Sequence, residues 1–240
     1  MYVSHYRIRV QLRSFCILSF LFGLQVTGAL VSTHSSVSDP NLVEQQLGYL
    51  PPNFLCVSAR TSSDSPIAIQ TYPLHGGAPR RQAKATATPT PALLGTPFPT
   101  LYWLTGPEIS RAIGGLERKG YIVEFEKRLN GDPLEAARFI SSHKQYARAR
   151  WNSLKEEDRT LLTMDHSSIK RMRNMLECSG VAGTDFLSQQ QEDGSFVASV
   201  KCLHAHYAHY RSTSPDEEVY NPVGHWIHET LQEEFPDVIL

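Results

Sequence analysis

The stretch Pro97-Phe98-Pro99-Thr100-Leu101-Tyr102-Trp103-Leu104-Thr105-Gly106-Pro107-Glu108-Ile109 changes character halfway along. Up to Leu104 its aromatic and aliphatic residues have the composition of a strand, with Pro99 near the start, where a missing donor is tolerated. From Thr105 it reads as a helix start. Thr105 and Glu108 have the spacing of a capping box, and Pro107 falls in the first turn, where its absent N–H costs nothing. Ile109, Ala112, Ile113 and Leu116 then recur at helical spacing, and Gly120 comes after Arg118 and Lys119 as a stop signal.

Upstream, Ile67-Ala68-Ile69-Gln70-Thr71-Tyr72 is a second strand by composition. Between the two strands, residues 76–94 are dense in Pro and Thr, which predicts a flexible insertion. Two strands joined this way form a small antiparallel pair, which is marginal alone and needs helices to cover it. The rest of the chain supplies those helices. One spans Val123 to Leu129 and ends at Asn130-Gly131. Asp132-Pro133-Leu134-Glu135 opens another that reaches about Trp151, with Ala136, Ile140, Ala147, Trp151 and Leu154 inward. Ser153 to Leu162 restarts with Ser153 and Glu156 in capping positions, and Ile169, Met172 and Leu176 mark a helix closed near Gly180. Strands first and helices after predict an α+β fold: a helix-rich single domain with a small antiparallel β pair near its N-terminus.

The ends of the chain differ from its middle. Arg7, Arg9 and Arg13 precede an apolar run from Phe15 to Leu24, then Thr27-Gly28-Ala29, and the first acidic residue is Asp39. This is the pattern of a signal peptide over residues 1–29, with an uncleaved anchor as the other reading. Residues 30–53 begin Ser/Thr-rich and acid-free, as a transit-like or linker segment. Thr27-Gly28-Ala29-Leu30-Val31-Ser32 is similar to the cleavage motif of algal plastids, which usually has Phe where Leu30 stands. The expected address is therefore the secretory route, leading to a plastid of secondary origin or to a secreted or lumenal location. Without its leader the chain has no membrane span and is four charges negative, which gives no general pull toward nucleic acid or anionic lipid. Residues 138–173 hold nine Lys/Arg against four acids. Residues 232–240 read as an acidic tail, and four cysteines are too few for a disulfide scaffold.

Val200-Lys201-Cys202-Leu203-His204-Ala205-His206-Tyr207-Ala208-His209-Tyr210 carries the chemistry. In a helix, Val200, Leu203, Tyr207 and Tyr210 share one face, while Cys202, His206 and His209 share another within about 60°. No charged side chain stands between Cys202 and Tyr210, so the helix is enclosed on more than one side and its imidazoles must find partners there. One reading makes Cys202, His206 and His209 ligands of Zn²⁺, with Cys56, His225 and His228 as further donors and His204 or Tyr207 as proton donor. The other makes the histidines hydrogen-bonded core residues and Cys202 a small core thiol. Arg138, His143, Tyr146 and Arg150 form a candidate anion cradle, or else a basic surface. No Walker loop, G-x-S-x-G, H-E-x-x-H or dinucleotide fingerprint is present.

Gly95 to Thr105, the Cys202 helix, and Asn221-Pro222-Val223-Gly224, in that order, make the chain resemble domain-of-unknown-function family 501, which is mainly actinobacterial with algal members. The resemblance covers residues 54–231. It implies no assigned activity. It also implies a cysteine beside the strand end where this chain has Gly106, so a shared cysteine set would here lack one member. Two functions stand as expectations. The first is a binding or assembly protein, for a protein partner or a small anionic ligand, with a buried Cys/His cluster. The alternative is a metal-dependent hydrolase acting on a small anionic or ester substrate.

Overall fold

A computed structural model describes residues 38–75, 94–187, 189, 197–213 and 220–240. Both expected strands are present and paired antiparallel: β2 (Pro66–Thr71) aligns Ile69 with Trp103 of β5 (Tyr102–Leu104). A third strand, β1 (Phe54–Arg60), pairs with the other edge of β2, so the sheet order is β1-β2-β5. Cys56 therefore lies within a strand rather than before one. The polar sequence around Ser58 hides β1, because its side chains are exposed or half-buried while β2 is buried at five of its six positions. A strand covered on both faces reads as a continuous apolar run, and an edge strand does not. A second, two-stranded sheet joins β3 (Leu74–His75) to β4 (Thr96–Pro97). The expected insertion, apart from Leu94, lies outside the described residues, as does the expected leader.

Ahead of the sheet, helix α1 (Asp39–Leu47) buries Val43, so part of the segment expected to be a linker is folded onto the domain. Then come α2 (Pro107–Arg118), α3 (Tyr121–Gly131), α4 (Pro133–Asn152), α5 (Glu156–Leu162), α6 (Ser167–Cys178), α7 (Leu203–Ser212) and α8 (Pro222–Glu234). In α2 the buried residues are Ile109, Ala112, Ile113 and Leu116, as the periodicity requires. Its capping box does not form. Gly106 is the cap residue, and the Thr105 hydroxyl is buried without a partner, because the Thr105 amide continues the sheet by donating to the Ile67 carbonyl. Asp132 does cap α4, accepting from the amides of Leu134 and Glu135. Phe139, not Ile140, is the inward residue of that helix. Lys155 rather than Ser153 precedes α5, and the Ser153 hydroxyl donates to the Arg150 carbonyl instead.

Helix α7 packs on β5, β2 and β1, and on α2 and α8. Leu203, His206, Tyr207, Ala208 and His209 are all buried. Gly224 at the start of α8 lets the two helices cross closely: a Cβ there would stand 2.3 Å from the Tyr210 Cβ and 2.6 Å from the His206 carbonyl oxygen. Beyond α8, Phe235, Val238 and Leu240 lie against the main core and the Leu240 carbonyl accepts from the Ser62 amide, so the expected acidic tail is docked. Among the described residues no helix is long and apolar enough to cross a membrane.

Candidate metal centre

The histidine helix begins at Leu203, three residues after the Val200 start that its sequence suggests. Cys202 is the residue before the first turn, with extended backbone at φ −155°, and so leaves the face that His206 and His209 share. The structure separates the expected Cys202, His206 and His209 set into two groups.

The first group is Cys202, His204 and Glu117, which is on the last turn of α2. One donor atom from each lies within 4.8 Å of the other two, the only such trio of metal-type donors among the described residues. Glu117 accepts from the Leu203 amide at 2.9 Å and faces His204 Nδ1 at 3.2 Å. His204 Nε2 is 3.0 Å from the Ser110 carbonyl, which can only accept, so that nitrogen carries a proton. Contact with the Cys202 sulfur raises the His204 pKa to about 9; burial opposes this, and Glu117 and the Ser110 carbonyl reinforce it. Burial alone would raise the Cys202 thiol, but His204 and the Ala205 amide outweigh it and leave the thiol lowered. His204 and Glu117 side chains are each about a quarter exposed, at 28% and 27%.

The second group is buried. Asn221 precedes α8 and its oxygen accepts from the Gly224 amide at 3.0 Å. That fixes its orientation, and its NH₂ group donates to His206 Nδ1 at 2.9 Å and His209 Nδ1 at 3.1 Å. Both imidazoles therefore carry their proton on Nε2. His143 is fixed the same way, because its Nδ1 accepts from the Val181 amide at 2.9 Å. Gly180 makes that approach possible: a Cβ there would meet His143 Nδ1 at 2.2 Å. Desolvation lowers all three histidines, His206 to about 4 and His209 to about 3. They are packed among aromatic rings, with Phe139 against His143 and His206, and Tyr102 and Tyr146 against His209. His206 and His209 are core histidines with their Nδ1 lone pairs occupied.

The remaining candidates are dispersed. Tyr207 accepts from Arg211 and bonds His228 Nδ1, while His225 contacts Tyr210. Cys56 is in β1 near Gln70. Of the expected anion cradle, Arg150 and Tyr146 meet at the Pro99 carbonyl, but each of its four residues is held by protein partners. Arg150 is wholly buried and donates to the carbonyls of Pro99, Met175, Leu176 and Ser179, with burial lowering it to about 10. Tyr146 accepts from the Leu101 amide, and Arg138 pairs with Glu135 and lies over Tyr220. Glu117 had no local sequence signal, since it meets His204 across 87 positions. Asn221 did have one: an Asn followed by Pro at a helix start is a cap.

The family described as protein of unknown function (DUF501) matches residues 57–229. No curated protein and no solved structure matches the chain.

Proposed function

The chain belongs to the DUF501 family, and from that premise we propose that it is a binding protein whose ligand is a divalent transition metal, zinc by donor type, held by Glu117, Cys202 and His204. The observation that carries this reading is the convergence of the three donors within 4.8 Å. Ligand atoms around tetrahedral zinc stand roughly 3.3–3.8 Å apart, so the side chains need close only by about 1 Å. The surroundings support it. His204 gives its Nε2–H to a backbone carbonyl, the arrangement that orients ligating imidazoles and leaves the other nitrogen for a metal. Once a metal displaces the proton that holds the His204 pKa at about 9, a carboxylate, a thiolate and a neutral imidazole together balance a divalent charge.

Three protein donors leave a fourth position, and the partial exposure of His204 and Glu117 turns it toward solvent. That observation favours a second reading, in which a bound metal activates water for hydrolysis of a small anionic or ester substrate. Tyr207 is not the proton donor in that scheme, because its hydroxyl is engaged with Arg211 and His228.

Metal analysis of the purified protein tests the first reading, together with cobalt titration followed by thiolate-to-metal absorption. One metal per chain is expected, lost in Cys202→Ala and in His204→Ala. A metal-free wild type with no thiolate–cobalt band would end it. Hydrolysis of p-nitrophenyl acetate and p-nitrophenyl phosphate by zinc-loaded protein, abolished by a chelator, tests the second.

A further inference from the structure

The basic segment 138–173 still offers an anion site, but from the outer face of α4 rather than from the expected cradle. Lys144, Arg148, Trp151 and Asn152 succeed one another at helical spacing and line a groove of about 410 Å³, with Phe186 and Glu177 on its other sides. Among the described residues neither Lys144 nor Arg148 has a hydrogen-bond or ion-pair partner, and both are exposed. Like charges one helical turn apart repel each other, which costs a few tenths of a kcal/mol unless an anion lies between them. Glu177 does not neutralise them, since it is paired with Arg173. The Arg173 guanidinium of that ion pair lies 5.8 Å from the Trp151 ring. The floor is apolar and aromatic: Ala147, the half-buried Trp151 and the buried Phe186.

We propose that this groove binds a small organic phosphate with a flat ring, the phosphate between Lys144 and Arg148 and the ring against Trp151. The two cations match a doubly charged head group, and Arg148 can engage two of its oxygens at once. An aromatic face beside them holds a planar body by stacking. The groove is built by α4, α6 and the Phe186 segment, with no contribution from Glu117, Cys202 or His204, so it stands or falls separately from the metal reading.

The test is calorimetric titration of the full chain with 1-naphthyl phosphate, with inorganic phosphate and 1-naphthol as half-ligand controls. Naphthyl phosphate should bind at least tenfold more tightly than either half. Lys144→Glu and Arg148→Glu should each weaken it tenfold or more, and raising the salt should weaken it in wild type. Trp151→Leu should bring its affinity down to that of inorganic phosphate. All three sites are at the surface or half-exposed, and circular dichroism checks that each variant is folded. Lys170→Glu, a charge reversal in the same basic segment but outside the groove, should leave binding unchanged. Equal binding of naphthyl phosphate to wild type and the two charge-reversal variants would overturn the proposal, as would no binding at millimolar concentration. Tighter binding of an acidic peptide that survives Trp151→Leu would overturn it in favour of a protein partner.

Discussion

Asn221 donates a side-chain N–H to His206 Nδ1 across 2.9 Å, and the two residues lie at the starts of different structural problems: one begins α8, the other is buried in the middle of α7. The same amide group reaches His209, and its oxygen satisfies Gly224. One small side chain thus settles a helix cap and two imidazole tautomers. Asn221→Ala leaves a helix amide and two buried ring nitrogens unpartnered. A cap is worth about 1 kcal/mol and each buried orphan about 1–3 kcal/mol, so a loss on the order of 3 kcal/mol is expected in urea unfolding. A loss under about 0.5 kcal/mol would show that the network carries no weight.

The same histidines set the response to acid. His206 and His209 are held at about 4 and about 3 by desolvation, and His143 is also lowered. In the unfolded chain they titrate near 6.5. Below that pH the unfolded state binds protons that the folded state refuses, so the contribution of these three histidines to stability is complete above 6.5 and declines as pH falls toward about 4. The slope is at most about 1.4 kcal/mol per pH unit for each histidine. Urea midpoints measured at pH 7 and pH 5 should differ strongly, with the folded protein losing ground at pH 5. An unchanged midpoint would mean that the three rings are hydrated.

Two glycines are required by space. Gly224→Ala would drive a methyl into Tyr210 and the His206 carbonyl, and Gly180→Ala would drive one into His143. At Gly224 the obstacles are the Tyr210 Cβ, which its helix holds in place, and the His206 carbonyl; at Gly180 the obstacle is a ring packed between Phe139 and Phe186, so neither site can yield easily. Each substitution should cost about 1–3 kcal/mol, read from the thermal midpoint. Gly131→Ala, which meets nothing within 4 Å, is the control that should be neutral.

Glu117 has two duties that Gln can separate. Gln keeps an oxygen for the Leu203 amide but lacks the negative charge a metal needs. Glu117→Gln should therefore fold with near-normal stability while losing tenfold or more in zinc affinity, by competition with a chromophoric chelator. Equal loss of both would make Glu117 a helix cap and nothing else.

The local periodic features were legible in the sequence. Ile109 to Leu116 repeats with the helix and is buried as expected, Asp132 caps α4, and β2 and β5 pair in the expected sense. What failed needed tertiary information. The Thr105 hydroxyl lost its cap because the sheet extended one residue further than the strand composition shows. Cys202 left the histidine face because Glu117, from a distant helix, accepts the Leu203 amide and α7 starts there. Because Cys202 sits in extended backbone before the first turn, the helical spacing of about 100° per residue no longer tells where its sulfur points. Helical spacing set His204 apart from His206 and His209, but as the poorer ligand; burial and the distant Glu117 reverse that order, leaving His204 partly exposed and the other two enclosed.

Arg150 reaches from α4 to the last carbonyls of α6 and to Pro99, beside the β5 strand. Were α6 to peel away by itself, a guanidinium would be left in the interior with only the Pro99 carbonyl to accept from it, at a cost of several kcal/mol. Local opening of that segment is thereby made nearly as expensive as loss of the whole structure. The amides of α6 and of the facing turn of α4 should exchange with deuterium together, at the rate of global unfolding, while the α1 amides exchange far sooner. The buried cation makes two stretches of chain separated by some 25 residues a single unit of cooperativity.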